Sequence, residues 1–194
     1  MNLENILKDP IYQPIKNTYE QWNGFMEEKV EFWLSGGTGH TKTHCARVLL
    51  FALIIGQQKG LNDDEMDALG MAAVFHDSRR LDDGIDKGHG SRAAEYYKNY
   101  CKEHDLPYDE RTYYMIFYHD QDDLLGLSEI KKSPSLDERA ILLYQIFKDA
   151  DALDRFRFGP DAIDVKFLRT KEAHRLLEFA KELTEADMRL QVNM

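Results

Sequence analysis

Three histidine–aspartate pairs occur in the chain, and their surroundings decide which of them could do chemistry. The pairs are His76–Asp77 in AAVFHDSRR, His104–Asp105 in KEHDLP and His119–Asp120 in MIFYHD. An imidazole beside a carboxylate offers a nitrogen and an oxygen ligand to a divalent metal ion, or a base and an acid for proton transfer. Since the dipeptide occurs three times, it is not by itself evidence of a site.

Position along a helix separates the three pairs. Residues three and four apart share a helix face, so a polar residue on an apolar stripe is either buried with a partner or binding something. His76 and Asp77 end a helix whose preceding turns are too apolar for a solvated face. His104 lies at a polar helix end before a proline, where the helix dipole explains it. For His119, helix-end packing and a place in the site both remain open.

Two further helices carry polar residues on their apolar stripes. His44 lies on one such stripe, with His40 one turn before it and Arg47 one turn after it. Asp151 extends the stripe of a later helix, and Asp154 follows one turn on, where it could orient a ligand or an arginine. One buried histidine is usually a hydrogen-bonded core residue, but four such positions on three helices indicate a shared site.

These positions predict a metal site in the core of a helical bundle. The predicted ligands are His44, His76, Asp77 and Asp151. Two imidazoles and two carboxylates suit Mn, Fe, Co, Ni, Zn or Mg, with water in the open coordination positions. A chain of 194 residues buries a sizeable core without a structural metal, so an ion here would be functional.

The apolar periodicity is helical nearly throughout, and no segment is typical of a strand. The predicted helices span about 11–34, 41–59, 62–77, 91–104, 109–120 and 136–155, followed by an amphipathic helix that starts at Thr170. Capping boxes are predicted at Asn62 with Glu65 and at Ser135 with Glu138. Residues 78–90 and 121–135 are expected to be loops. We predict an all-α bundle of about seven helices that forms a single domain over residues 1–194.

Composition restricts the partners and the compartment. The balance of 25 basic and 35 acidic residues gives a net charge of -10, which argues against nucleic acid as a major partner. No signal peptide is apparent, and the longest apolar run, Val48–Ile55, is much shorter than the roughly 20 residues of a membrane span. We therefore expect a cytoplasmic protein without a membrane partner, in which Cys45 and Cys101 are reduced. The oligomeric state is left open.

The ordered motifs resemble a known superfamily. His44 in HCARV, His76–Asp77 in VFHD and Asp151 in KDADALDRFR resemble the HD-domain superfamily of metal-dependent phosphohydrolases over roughly residues 40–160. This resemblance implies an HD-domain core with helical extensions on both sides, and His44, His76, Asp77 and Asp151 as metal ligands. Asp149 competes for the last place, but the family uses the aspartate of the Ala-Asp pair, which is Asp151.

The same resemblance raises the prospect of a second metal ion. HD proteins with two additional histidines between the HD pair and the final aspartate can hold two metals, and His89 and His119 lie in that interval. The alternative for His89 is a mobile surface residue between glycines. One or two divalent ions per chain are therefore expected.

A phosphohydrolase of this kind would also need cations for the phosphate oxygens. The candidates are Arg47, Arg79, Arg80, Lys87 and Arg155. A pair of arginines can clamp a phosphate through bidentate hydrogen bonds. The resemblance thus predicts hydrolysis of a small phosphate ester or nucleotide, a phosphomonoester or phosphodiester, by metal-activated water. Two alternatives remain, an HD-type diiron oxygenase like the inositol oxygenase group and a non-catalytic ligand-binding HD domain.

Overall fold

The structure is a computed structural model that describes residues 3–34 and 41–192, and within these ranges the regular elements are all helical. The α-helices are α1 (Leu3–Ile6), α2 (Gln13–Lys29), α3 (Lys42–Gln58), α4 (Asp63–Phe75), α5 (His89–Glu103), α6 (Glu110–Tyr118), α7 (Asp123–Lys132), α8 (Glu138–Leu153), α9 (Lys171–Arg175) and α10 (Leu177–Val192). Short 3-10 turns span Pro10–Tyr12, Asp154–Phe158 and Val165–Phe167. The predicted all-α class is confirmed.

One predicted loop is wrong, because α7 occupies most of residues 121–135. Asp122 caps this helix by accepting a hydrogen bond from the Leu124 backbone N–H at 2.9 Å. Ile130 is buried against α6 and α8, while the rest of the helix is mostly polar or partly exposed. Its apolar residues, Leu124, Leu125, Leu127 and Ile130, span only two turns, which is too short a stretch for the periodicity to mark a helix.

The two predicted capping boxes have different outcomes. Asn62 and Glu65 form theirs at the start of α4, each side chain accepting from the other residue's backbone N–H at 3.0 and 2.9 Å. The box at Ser135 and Glu138 is wrong, because Asp137 caps α8 by accepting from two backbone N–H groups. Ser135 instead donates to the Glu110 carboxylate. Aspartate and serine are comparable N-caps, so the sequence alone did not separate them.

Helix α3 lies at the centre of the bundle and packs against α2, α4 and α8. Its residues from His44 to Gly56 are all buried, so the helix exposes no face to solvent over that stretch. Helix α2 approaches α4 closely at Gly70, where any side chain would meet the Trp22 ring. The surrounding helices thereby hold both ends of α3 in fixed positions.

Five helix ends meet at one end of this bundle, and the predicted ligands lie on them. His44 is in the first turn of α3, His76 and Asp77 directly follow α4, and Asp151 is in the last turn of α8. The start of α5 and the end of α6 complete the group.

Among the described helices, none combines the length and the hydrophobicity of a membrane-spanning segment.

Candidate metal centre

Six histidine and aspartate side chains come together at the converging helix ends. They are His44, His76, Asp77, His89, His119 and Asp151. The first five side chains are at most 8% exposed, whereas that of Asp151 is 28% exposed. The cluster is therefore buried on most sides and open to solvent at Asp151.

The first half of the cluster surrounds the Nε2 atom of His44. This atom lies 3.1 Å from Nε2 of His76, 3.5 Å from Oδ2 of Asp77 and 3.4 Å from Oδ1 of Asp151. His44, His76 and Asp77 each offer a ligand atom close enough to the others to share one ion. Asp151 supplies a fourth oxygen on the open side.

The second half of the cluster uses the other oxygen of Asp77. Oδ1 of Asp77 lies 3.1 Å from Nε2 of His89 and 3.4 Å from Nε2 of His119, and the two imidazole nitrogens are 2.8 Å apart. These three residues form a second group that could hold an ion. Asp77 thus stands between the two groups with one oxygen toward each, as a bridging carboxylate would.

Hydrogen bonds fix the tautomer of every histidine in the cluster. The Nδ1–H group of His44 donates to Oδ2 of Asp154 at 2.6 Å. The other three histidines donate from Nδ1 to backbone carbonyls: His76 to Ala73 at 2.8 Å, His89 to Asp86 at 2.6 Å, and His119 to Ile116 at 2.7 Å. In the neutral ring, Nε2 then carries the lone pair. Four lone pairs converge, and pairs this close repel unless a cation or a proton lies between them. The donor set therefore fits a metal centre.

The electrostatics of the cluster also favour a cation. Burial lowers the pKa of His76 to about 3, which keeps its imidazole neutral. Burial also opposes a charge on His44 and on His119, but hydrogen bonds and charges from the surrounding carboxylates outweigh it and raise both pKa values. For Asp151, burial is outweighed by the hydrogen bond and charge of His44, so its pKa lies well below the ordinary value. Asp151 therefore stays ionised and attracts a proton or a metal ion.

Asp154 supports the cluster through His44, and it pairs with Arg47, one of the predicted phosphate ligands. It is fully buried and accepts hydrogen bonds from Nε and Nη2 of Arg47 at 2.5 and 3.0 Å. Arg157 adds a contact from Nη1 at 3.4 Å. Arg47, a predicted phosphate contact, is thus a buried partner of Asp154.

Arg79 is also engaged elsewhere. Its guanidinium lies 5.3 Å from the Trp33 ring and 3.2 Å from the Tyr96 ring, and it donates to the carbonyls of Glu31 and Ser78. The backbone N–H of Trp33 in turn donates to the Ser78 carbonyl at 3.0 Å. These contacts join the segment after α2 to the residues after the HD pair, and they engage Arg79, a predicted phosphate contact.

Arg80 lies against the cluster, and it also closes the following loop. Its Nη1 is 3.7 Å from Oδ1 of Asp77 and 3.1 Å from Nε2 of His89, while Nη2 donates to the Gly84 carbonyl at 2.6 Å. In the acidic loop, Asp86 accepts from the Leu81 N–H at 2.7 Å. The loop's polar groups therefore organise the loop itself. Lys87 is exposed, and His40 lies outside the described residues.

Asp120, which follows His119 in the third histidine–aspartate pair, has a structural role that the sequence does not predict. Oδ2 of Asp120 accepts from the N–H groups of Gly88 and Gly90 at 3.0 and 3.4 Å, at the start of α5. Gly90 must lack a side chain because a Cβ there would lie 2.8 Å from the Ile116 carbonyl oxygen. Asp120 thus holds the turn that carries His89, which is buried and not a mobile surface residue.

Asp149, the competitor of Asp151, points to a different part of the molecule. It is fully buried and accepts from the backbone N–H groups of Arg169 and Thr170 at 2.9 and 2.7 Å, and from Thr170 Oγ1 at 2.8 Å. Thr170 in turn caps α9, as the sequence predicts. Asp149 therefore anchors the chain after residue 160, whereas Asp151 lies in the cluster.

A cleft of about 360 Å³ opens beside the exposed side of the cluster. His119 and Asp151 form its inner wall, and Arg155, a predicted phosphate contact, also lines it. Lys148 lines it too, and sequence reasoning missed this residue because it considered histidines and acids on the stripes. The cleft gives a small molecule access to the cluster.

Comparison with protein families agrees with this geometry. The family model for the HD domain matches residues 41–155, more than half of the chain. The chain belongs to the HD domain family. No curated protein and no solved structure matches it. The family predicted from the motifs is therefore confirmed, and all six clustered residues of this HD domain lie inside the matched range.

Proposed function

We propose that this HD-domain chain is a metal-dependent phosphohydrolase that acts on a small phosphate ester or nucleotide. The observation that carries the proposal is the position of Asp77, whose Oδ2 faces His44 and whose Oδ1 faces His89 and His119. HD domains form a superfamily of metal-dependent hydrolases, and His and Asp groups able to hold a metal are present in this chain. The proposal adds the phosphate ester as the substrate.

The residues divide into two metal-holding sets. His44, His76, Asp77 and Asp151 would hold one ion, and Asp77 with His89 and His119 would hold a second. Divalent ions bound in such sites lower the pKa of bound water to roughly 7 and polarise phosphoryl oxygens. The candidates are Mn, Fe, Co, Ni, Mg and Zn.

The protein contributes orientation and access. The hydrogen bonds to Nδ1 keep the four imidazoles in the tautomer that binds cations, so no tautomer change is needed. Helix packing excludes water from every side except that of Asp151. A phosphate group entering the cleft would therefore meet the cluster across Asp151 and His119.

The diiron oxygenase remains the second candidate, because the observed set of four histidines and two aspartates is the set predicted for both activities. The two proposals differ in the metal and in the second substrate. An oxygenase would need iron and would consume dioxygen during turnover. A hydrolase would work under nitrogen with a redox-inactive ion such as Mg or Zn.

The deciding experiment combines metal analysis with an anaerobic activity panel. The purified protein is analysed for metals, then supplied with Mn, Co, Ni, Mg or Zn and tested on nucleotides, sugar phosphates and phosphodiesters. We expect phosphate release without oxygen. The His76→Ala variant should lose it, while His104→Ala, which changes an exposed histidine stacked on Tyr100, should keep it. Iron-dependent oxygen consumption without phosphate release would overturn the proposal in favour of the oxygenase.

A further inference from the structure

The cleft beside Asp151 contains three cationic side chains, and two of them are neutralised. Lys148 donates to the carbonyls of His119 and Gln121 at 2.7 and 2.9 Å and lies 3.1 Å from the Asp123 carboxylate. Arg169 pairs with Asp123 and with Asp149. These two cations therefore hold the wall of the cleft together and have little capacity left for an anion.

Arg155 is the third cation, and its guanidinium is available. It is exposed, and its Nε donates to the Ala162 carbonyl at 3.0 Å. Within residues 3–34 and 41–192, its two Nη atoms have no hydrogen bond or ion pair. Arg155 follows Asp151 by four residues and lines the same cleft. The fixed Nε leaves the two Nη groups pre-positioned for two oxygens of one phosphate.

Apart from Asp164, the remaining wall of the cleft is apolar. It consists of Ala152, Ala162, Ile163 and Phe167, and the Phe167 side chain on its 3-10 turn is 61% exposed. Asp164 begins this turn and pairs with Lys166 at 2.6 Å, so its charge is partly neutralised. The hydrogen bonds from Arg169 and Thr170 to Asp149 fix the chain just after Phe167. The Lys166 ammonium lies over one side of the Phe167 ring at 4.9 Å from its centre, so the exposed ring offers its other face for stacking.

We infer that the cleft selects phosphomonoesters whose alcohol carries a planar, uncharged ring, with Arg155 binding the phosphate and Phe167 stacking on the ring. This inference rests on the proposed phosphohydrolase function. The volume of about 360 Å³ suits a molecule with one phosphate and one ring. A polyol phosphate of equal charge would leave Phe167 and Ile163 exposed to water, so it should bind more weakly.

The binding test uses two phosphonates in which an unactivated carbon–phosphorus bond replaces the ester bond, so hydrolysis has no alkoxide leaving group. Calorimetric titration of the metal-loaded protein with phenylphosphonate and methylphosphonate should show about three- to tenfold tighter binding of the phenyl compound. Phe167→Ala should remove that difference and leave methylphosphonate binding unchanged. Arg155→Gln should weaken both compounds about ten- to hundredfold. Val165→Ala, on the same turn but outside the cleft lining, is the matched control and should change neither.

Parallel hydrolysis assays separate the two proposals. Phenyl phosphate, cleaved by water to phenol and inorganic phosphate, is compared with glycerol 2-phosphate in the same variants. If both esters are cleaved but phenylphosphonate has no advantage, the ring subsite is overturned while the phosphohydrolase stands. If neither ester is cleaved with any metal and the phenyl preference persists, the hydrolase proposal fails and the subsite stands. Unchanged phosphonate binding in Arg155→Gln would overturn the assignment of Arg155.

Discussion

Nδ1 of His44 lies 2.6 Å from Oδ2 of Asp154, although 110 residues separate them in the chain. This hydrogen bond connects the first turn of α3 with the end of α8, the two elements that also supply His44 and Asp151 to the cluster. Arg47 completes a buried chain from guanidinium to carboxylate to imidazole. Burial opposes the charge on Asp154, but the His44 hydrogen bond and the Arg47 charge outweigh it and lower its pKa.

Replacing Asp154 tests whether this chain tunes the cluster. Asp154→Asn keeps the shape and one acceptor oxygen but removes the charge that makes His44 a stronger ligand. We expect metal affinity to fall by about ten- to hundredfold, measured by competition with a chelating indicator. The exposed Asp161, outside the cleft lining, gives the matched Asp161→Asn control, which should bind metal as the original protein does. Equal affinities in the two variants would show that Asp154 is only structural.

The two halves of the cluster should be separable by mutation. His89→Ala removes a nitrogen from the second group and leaves the first group's atoms in place, because Asp77 faces His89 through Oδ1 and His44 through Oδ2. We expect the bound metal to fall from two equivalents to one, measured by elemental analysis after dialysis. His174→Ala, at an exposed site on α9, should retain both. Two equivalents in His89→Ala would contradict a shared-carboxylate pair of sites.

Asp120 should stabilise the turn that presents His89. Asp120→Ala removes the acceptor for the Gly88 and Gly90 N–H groups, and loss of such a cap costs about 1 kcal/mol of unfolding free energy. The measurements are urea denaturation and hydrogen exchange of those two amides, which should accelerate. Asp161→Ala, which changes an exposed acid, should stay within about 0.5 kcal/mol. Unchanged exchange at Gly88 and Gly90 would refute the capping role.

Helix faces explain why so much of the cluster could be predicted from the sequence. His44, Asp77 and Asp151 interrupt apolar stripes, and the expense of burying them alone makes such interruptions informative. His89 was harder to place, because it lies next to glycines where periodicity says nothing. The turn that carries it is held by Asp120, which lies between α6 and α7 and is 31 residues further along the chain.

The cations could not be placed for a related reason. The partner of Arg47 is 107 residues away, and Arg79 is enclosed by Trp33 and Tyr96. Nearby sequence therefore shows the charge of an arginine but not the distant groups that occupy it. Arg155 differs because it lines the cleft and its Nη atoms have no partner among the described residues, and this too became visible only once the helices were assembled.

Asp149 and Asp151 offer a final test, because they lie two residues apart in the chain but contact different parts of the molecule. Asp149→Asn weakens the anchor of Arg169 and Thr170, and it leaves the Arg169 guanidinium without one of its carboxylates. Breaking a buried pair on one side typically costs about 3 kcal/mol, which urea denaturation would detect. Under conditions in which the variant is fully folded, its metal affinity should stay within about threefold of the original value, since Asp149 contributes no atom to the cluster. Asp151→Asn should show the reverse pattern, with weak metal binding and near-normal stability. A stable Asp149→Asn variant that fails to bind metal would mean that Asp149, and not Asp151, is the ligand.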